Sequence, residues 1–189
     1  MSFHGLCAKR LPMMDRRAQN AGRFLQGTPK GGKDLPGLVL DDLDRKLLRL
    51  VQKDARLPTQ ALAEAAGMSS SPVWRRLKRL EEAGVIQGQV ALLDAALLGF
   101  HTTAYVVVSL KDHSEASVQK FDAFVAGQRQ VVECARVTGS GDYLVKVIAR
   151  DNADFEQFLM RHLLATGVVR ETTTSLVLRQ TKATTELPV

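Results

Sequence analysis

The chain has 189 residues and a formal net charge of +6, with 45% hydrophobic residues and a mean hydropathy of −0.07, the profile of an ordinary globular protein long enough for one large or two small domains. No apolar run approaches the roughly 18 residues of a membrane span, so a transmembrane segment is excluded. Cys7 and Cys134 are far apart and form no CxxC pair, which speaks against a disulfide scaffold or a zinc site and fits a reducing cytosol.

The charge is unevenly spread. Residues 1–40 hold Lys9, Arg10, Arg16, Arg17, Arg23, Lys30 and Lys33 against Asp15 and Asp34, which leaves residues 41–189 nearly neutral. Residues 1–38 show no sustained periodicity and are read as a disordered basic extension. They lack the apolar core of a secretory signal and only faintly match a transit peptide. An upstream start is the preferred origin, with Met13 or Met14 as alternative first residues. A basic arm on phosphates is the functional option.

Residues 41–52, DDLDRKLLRLVQ, open with acids suited to a helix N-terminus and carry a stripe of Leu43, Leu47 and Leu50/Val51. Pro58 and Thr59 begin a short Ala/Leu-rich helix, Gln60 to Ala66, that ends at Gly67. The next helix, within GMSSSPVWRRLKRLEEAG (67–84), has Val73, Leu77 and Leu80 on one face. Ser69 is placed to cap its start, Pro72 is tolerable in its first turn, and Gly84 suits its C-terminus. Arg75, Arg76, Lys78 and Arg79 crowd its middle, where a phosphate-lined groove would meet them. A basic amphipathic helix can be merely a solvated face, but two short helices joined by a tight glycine turn have helix-turn-helix spacing. On that reading Ser70, Ser71 and Arg75 approach base edges, Arg76, Lys78 and Arg79 bind phosphate, and Trp74 lies near the interface. The competing roles are an internal ion pair for Arg76 and a cover over the helix pair for Trp74.

Residues 85–93, VIQGQVALL, read as a strand leading out of this unit, and Asp94 to Gly99 as a short helical linker. Then follow a strand (101–110), a helix (114–127) with Val118, Phe121 and Val125 inward, a strand (131–138), a turn GSGD (139–142), a strand (143–150), a helix (151–167) with Phe155, Phe158/Leu159 and Leu163 on one face, and a strand (168–180). The order βαββαβ is that of a ferredoxin-like sandwich, with two helices on one sheet face and the other face needing a cover, expected from a partner subunit. Cys134 alternates on its strand as a small buried hydrophobe. The four histidines lack ligand spacing, and no nucleophile motif, phosphate loop or Rossmann fingerprint is present.

Across residues 40–183 the sequence resembles the Lrp/AsnC (feast/famine) transcription regulators, through LDDLDRKLLRLVQKDAR (40–56), ALAEAAGMSSSPVWRRLKRLEEAGVIQG (61–88), LLDAALLG (92–99), VTGSGDYLVKV (137–147) and TTTSLVL (172–178). SSSPVWRRLKRLEE and KATTELP are most similar to a subgroup with cysteine-responsive activators and branched-chain catabolism regulators. The resemblance implies an α+β chain. An N-terminal winged helix-turn-helix domain (39–91) is followed by a linker (92–100), a C-terminal ferredoxin-like RAM domain (101–183) and a tail (184–189).

It further implies a cytoplasmic, nucleoid-associated regulator of double-stranded DNA, with dimers assembling to octamers, no membrane and no cofactor. An amino-acid effector would sit near Gly139, Ser140, Gly141, Asp142 and Tyr143. A hairpin turn is the plain alternative for that loop; its N–H groups suit a carboxylate and Asp142 an ammonium. Two departures stand out. Pro58 and Ala61 replace the Ser and Glu that often frame the second helix, and a Pro-Gly is missing around Thr166-Gly167. Two other classes share the architecture, a sirohaem decarboxylase-like enzyme, for which His101 is the one candidate residue, and an assembly protein that does not bind DNA.

Overall fold

The computed structural model describes residues 38–189. The expectations for the basic extension, including Cys7, therefore fall outside the described residues but for Leu38. Three helices come first: α1 Asp42–Lys53, α2 Thr59–Ala66 and α3 Ser70–Glu82. The start of α1 is fixed by a reciprocal pair, in which the Asp41 side chain accepts the Asp44 N–H and the Asp44 side chain accepts the Asp41 N–H. Gly67 ends α2 at φ +73°, in the left-handed region, and the N–H of Met68 donates to Ala63 O, so the chain turns at once into α3. Leu47, Leu62, Ala63, Ala66 and Val73 form the core of the three helices, with Leu50, Val51, Leu57, Met68 and Leu77 against it.

Two helix starts lack a side-chain cap. Ser69 is the N-cap residue of α3 by its extended backbone, yet its hydroxyl accepts no hydrogen bond from the first turn. The third helical position is Pro72, which has no N–H to give. Pro58 caps α2 without any side-chain bond, as its missing hydroxyl dictates.

Residues 85–93 are not a strand. A strand needs a neighbour for its N–H and C=O groups, and none pairs with this stretch among the described residues. Val90, Leu92 and Leu93 are left exposed. The expected helical linker is a single turn: Asp94 Oδ1 accepts the Leu97 N–H at 3.0 Å, and Gly99 at φ +83° closes it.

The second half follows the predicted order: β1 Thr102–Leu110, α4 Glu115–Gly127, β2 Val131–Arg136, β3 Tyr143–Ala149, α5 Asn152–Phe158 and β4 Val169–Leu176. Leu159–Leu163 continue α5 as a π-helical turn and Leu164–Thr166 as a 3₁₀ turn, before Gly167 at φ +77°. The sheet is antiparallel throughout with order β2-β3-β1-β4, the ferredoxin-like arrangement. Ala104, Val106 and Val108 of β1 lie beside Val147, Val145 and Tyr143 of β3, and this face packs on Phe121, Phe155, Phe158 and Leu163 from the helices. On the opposite face, Thr103, Tyr105 and Val107 lie beside Ile148, Lys146 and Leu144, all half-buried without a covering layer among the described residues.

The two cores share no residue. Phe121 is fully buried at the centre of the second, so Phe121→Ala is expected to cost about 3–5 kcal/mol. In urea titrations the circular-dichroism transition of the sheet domain moves down, while the transition seen by the single tryptophan, Trp74, in the three-helix unit moves little.

Candidate nucleic-acid interface and sensor loop

The cations of α3 divide by partner. Asp44, on the inner face of α1, is fully buried, and a buried carboxylate must be paired. Arg76 Nη1 donates to Asp44 Oδ1 at 2.8 Å and to Asp41 Oδ2 at 2.6 Å, and Arg79 Nη2 donates to the other Asp44 oxygen. The Asp44 N–H and the Arg76 guanidinium hold the Asp41 carboxyl below its usual range. The Asp44 and Asp41 carboxylates in turn raise the guanidinium of Arg76. Of the two roles weighed for Arg76, the structure contains the internal ion pair: its side chain is 26% exposed and closes the acid pair. Arg79 is shared between Asp44 and solvent, with 47% of its side chain exposed.

The remaining residues point outward. Ser70, Ser71, Trp74, Arg75 and Lys78 are not buried, and Trp74 is 54% exposed. Among the described residues Arg75 has no acidic partner. Lys78 lies 5.1 Å over the Trp74 ring and 3.8 Å from Glu82 Oε1, a pair one helical turn apart that is weak at the surface. Ser71, Arg75, Lys78 and Glu82 follow one another at helical spacing along the outer face. Ser70 and Ser71 stand at the helix N-terminus, whose N–H groups and dipole favour an anion. Trp74 also forms one wall of a hollow of about 430 Å³ with Val51, Leu57, Leu62, Leu77 and Ile86, so both roles foreseen for it retain a physical basis.

The loop between β2 and β3 is fixed by two devices. A Cβ on Gly141 would collide with Val107 Cγ1, so only glycine lets the loop lie against β1, where the N–H of Asp142 donates to Val108 O at 2.9 Å. Asp142 Oδ2 accepts the Leu110 N–H at 2.7 Å, and Oδ1 lies 2.7 Å from His113 Nε2. These contacts, His113 foremost, hold its carboxyl below the ordinary range. Asp142 is therefore engaged within the protein, where it anchors the loop. His113 is the residue missed by sequence reasoning: it lies 29 positions from Asp142 and in a loop, so no local spacing marks it.

Tyr143, expected beside the effector, follows directly in β3. Its ring turns into the core, 4.5 Å from Phe121 and 4% exposed, with its hydroxyl unpartnered among the described residues. Burial pushes that hydroxyl up to about 12. Gly139 and Ser140 remain exposed, and the N–H groups of Gly139, Ser140 and Gly141 meet no protein acceptor among the described residues. Cys134 packs against the core, and burial raises its thiol to about 11. His101 is exposed at the start of β1 with its N–H on Arg150 O.

Residues 40–87 match a family model described as winged helix-turn-helix DNA-binding, and residues 103–187 match one described as the Lrp/AsnC ligand binding domain. The DNA-binding transcriptional activator DecR of Escherichia coli (strain K12) is 38% identical over 151 residues, covering 80% of this chain and 99% of the relative. The leucine-responsive regulatory protein of Rhizobium meliloti is 41% identical over 143 residues, covering 76% and 92%. A transcriptional regulator from Neisseria meningitidis, solved as a complex with L-Met, superposes with a TM-score of 0.77 at 34% identity, covering 79% of this chain and 97% of that one. An AsnC family regulator from Agrobacterium tumefaciens gives 0.75 at 38%, with the same coverage.

Two outcomes follow. Removing one partner of a buried ion pair costs about 3–5 kcal/mol; because both arginines here reach water, Asp44→Ala is expected to lower the stability of the three-helix unit by about 2 kcal/mol. Urea unfolding followed by Trp74 fluorescence measures it. For Asp142 the folded-state pKa is depressed, so its contribution is complete above the unfolded value, near 3.8, and is lost as pH falls through the lower folded value. Thermal unfolding of the native chain and of Asp142→Asn should differ at pH 6 and converge in strong acid.

Proposed function

The chain belongs to the Lrp/AsnC family of transcription regulators, and on that premise we propose that α3 reads an operator through Ser70, Ser71 and Arg75 while Lys78 and the solvent side of Arg79 hold phosphates. It is a DNA-binding regulator rather than an enzyme, and its C-terminal half is the ligand-binding domain of the family. The observation that carries the residue assignment is the sorting of cations on α3. Arg76 is consumed by Asp41 and Asp44, whereas Arg75 keeps its whole guanidinium fork for a base edge. A bidentate contact of that kind to guanine discriminates by about 1–3 kcal/mol, and phosphate contacts position without specifying. Trp74 stands beside them and stiffens Lys78.

The effector is an amino acid, the class represented by the L-Met complex of the Neisseria meningitidis regulator. Its carboxylate is received by the N–H groups of Gly139, Ser140 and Gly141, on a loop held by Asp142 and His113. Supporting this is the combination of free donors and a rigid anchor; a ligand then regulates by binding one arrangement of the protein better than another. No cofactor is required.

The half-buried sheet face around Tyr105, Val107, Leu144 and Ile148 is covered by a second copy, giving a dimer that reads two half-sites and assembles further to an octamer. The units divide at residues 39–91, 92–100 and 101–183, and the protein works in the cytoplasm on the nucleoid.

Genome-fragment selection with the purified chain, with and without each of the twenty amino acids, tests the reading. A small set of enriched duplexes whose recovery changes with one or a few amino acids is expected; no enrichment over bulk DNA contradicts it. On a selected duplex, Arg75→Ala should lose about 10- to 100-fold in affinity and much less on random DNA, whereas Lys78→Ala weakens both alike and lowers the salt slope.

A further inference from the structure

After β4 the chain does not stop at the sheet. The N–H of Val177 still donates to Thr103 O, and residues 178–189 then run, without regular structure, to the other half of the molecule. There the tail meets the outer face of α1. The Leu187 N–H donates to Gln52 Oε1 at 2.6 Å, and Gln52 Nε2 donates back to Leu187 O at 3.2 Å. One turn earlier on the same face, Arg49 Nη1 donates to Val189 O at 2.9 Å. A side-chain amide that both gives to and takes from one residue's backbone reproduces the pairing of two strands. It reads main chain rather than side chain, and the Leu187 side chain is left 68% exposed.

We propose that the C-terminal segment is a strap that ties the ligand-binding domain to α1 and so makes the recognition helix answer to the sheet. This rests on the regulator reading above and names how its two halves are coupled. The geometry is continuous. The strap grips the outer face of α1 at Arg49 and Gln52, while the inner side of the same helix grips α3 through Asp41, Asp44, Arg76 and Arg79. The other connection, residues 85–101, contains a single turn and no strand or helix. Two halves joined by a single irregular connection are held at one point; a second tether from β4 to α1 restricts the angle between them. The ten residues from 178 to 187 span at most about 30–35 Å, so displacement of β4 is passed to α1 only while the strap is docked.

Single-residue amide hydrogen exchange tests the contact on the full chain. The Leu187 amide is expected to exchange about fivefold more slowly than in Gln52→Ala, the size of effect one hydrogen bond gives; equal rates overturn the strap. Gln52→Cys paired with Leu187→Cys, in a chain carrying Cys7→Ser and Cys134→Ser, should form an intramolecular disulfide on oxidation. Crosslinks found only between chains would overturn a strap within one chain. Coupling is read as the change in affinity for a selected duplex when a mixture of the twenty amino acids is added. In Gln52→Ala, and in Leu187→Pro, which removes the donor N–H, this ratio should fall towards one, with affinity in the absence of amino acids within about twofold of the native chain. An undiminished ratio overturns the coupling. A native chain without any amino-acid response counts against the regulator reading, and the exchange measurement still decides the strap independently.

Discussion

A single carboxylate organises the DNA-facing half of this protein. Asp44 has no access to water, and an ionised group in that position is tolerable only if opposite charge and hydrogen bonds meet both oxygens. Arg76 and Arg79 supply them from α3, and Asp41 completes the network while closing the N-terminus of α1. Apolar contacts alone would allow α3 to roll or slide against α1, because the hydrophobic effect is not directional. Directed bonds from two successive turns of α3 to one carboxylate fix its rotation. The same bonds decide which residues face away: with Arg76 turned inward, the helix presents Ser71, Arg75 and Lys78.

A similar economy operates at the loop between β2 and β3, proposed above as the sensor. Gly141 allows close approach to β1, and Asp142 ties the loop to the end of that strand and to His113. The acid that invited a ligand-binding role is spent on rigidity. In the proposed site, what is left for a ligand is backbone, the N–H groups of residues 139–141. In both halves a charged residue conspicuous in the sequence builds the scaffold, and the groups beside it are left without a protein partner among the described residues.

Most of the architecture was legible because periodicity reports burial. Val73 and Leu80, Phe121, Phe155, Phe158 and Leu163 fell at the spacing of their elements and are buried where expected; the glycines Gly67, Gly84 and Gly167 mark left-handed turns. Illegible were the features that depend on distant partners. A run of β-forming residues at 85–93 is no strand without a neighbour among the described residues. The N-cap bond of Ser69 fails for want of an N–H on Pro72. Arg75, Arg76 and Arg79 look alike in sequence, and only the position of Asp44, more than thirty residues away, separates them. The inward turn of Tyr143 follows strand alternation, which its place in a glycine-rich motif obscured.

For this protein to read an operator, the outer face of α3 must lie against DNA. The most direct measurement uses Ser71→Cys in a chain whose own cysteines, Cys7 and Cys134, are replaced by serine, with an iron–EDTA cleaving reagent attached to the new thiol and the protein bound to a selected duplex. Strand cleavage confined to a few nucleotides within each half-site is the predicted result. A duplex that stays bound and uncut, or is cut without positional preference, would contradict it.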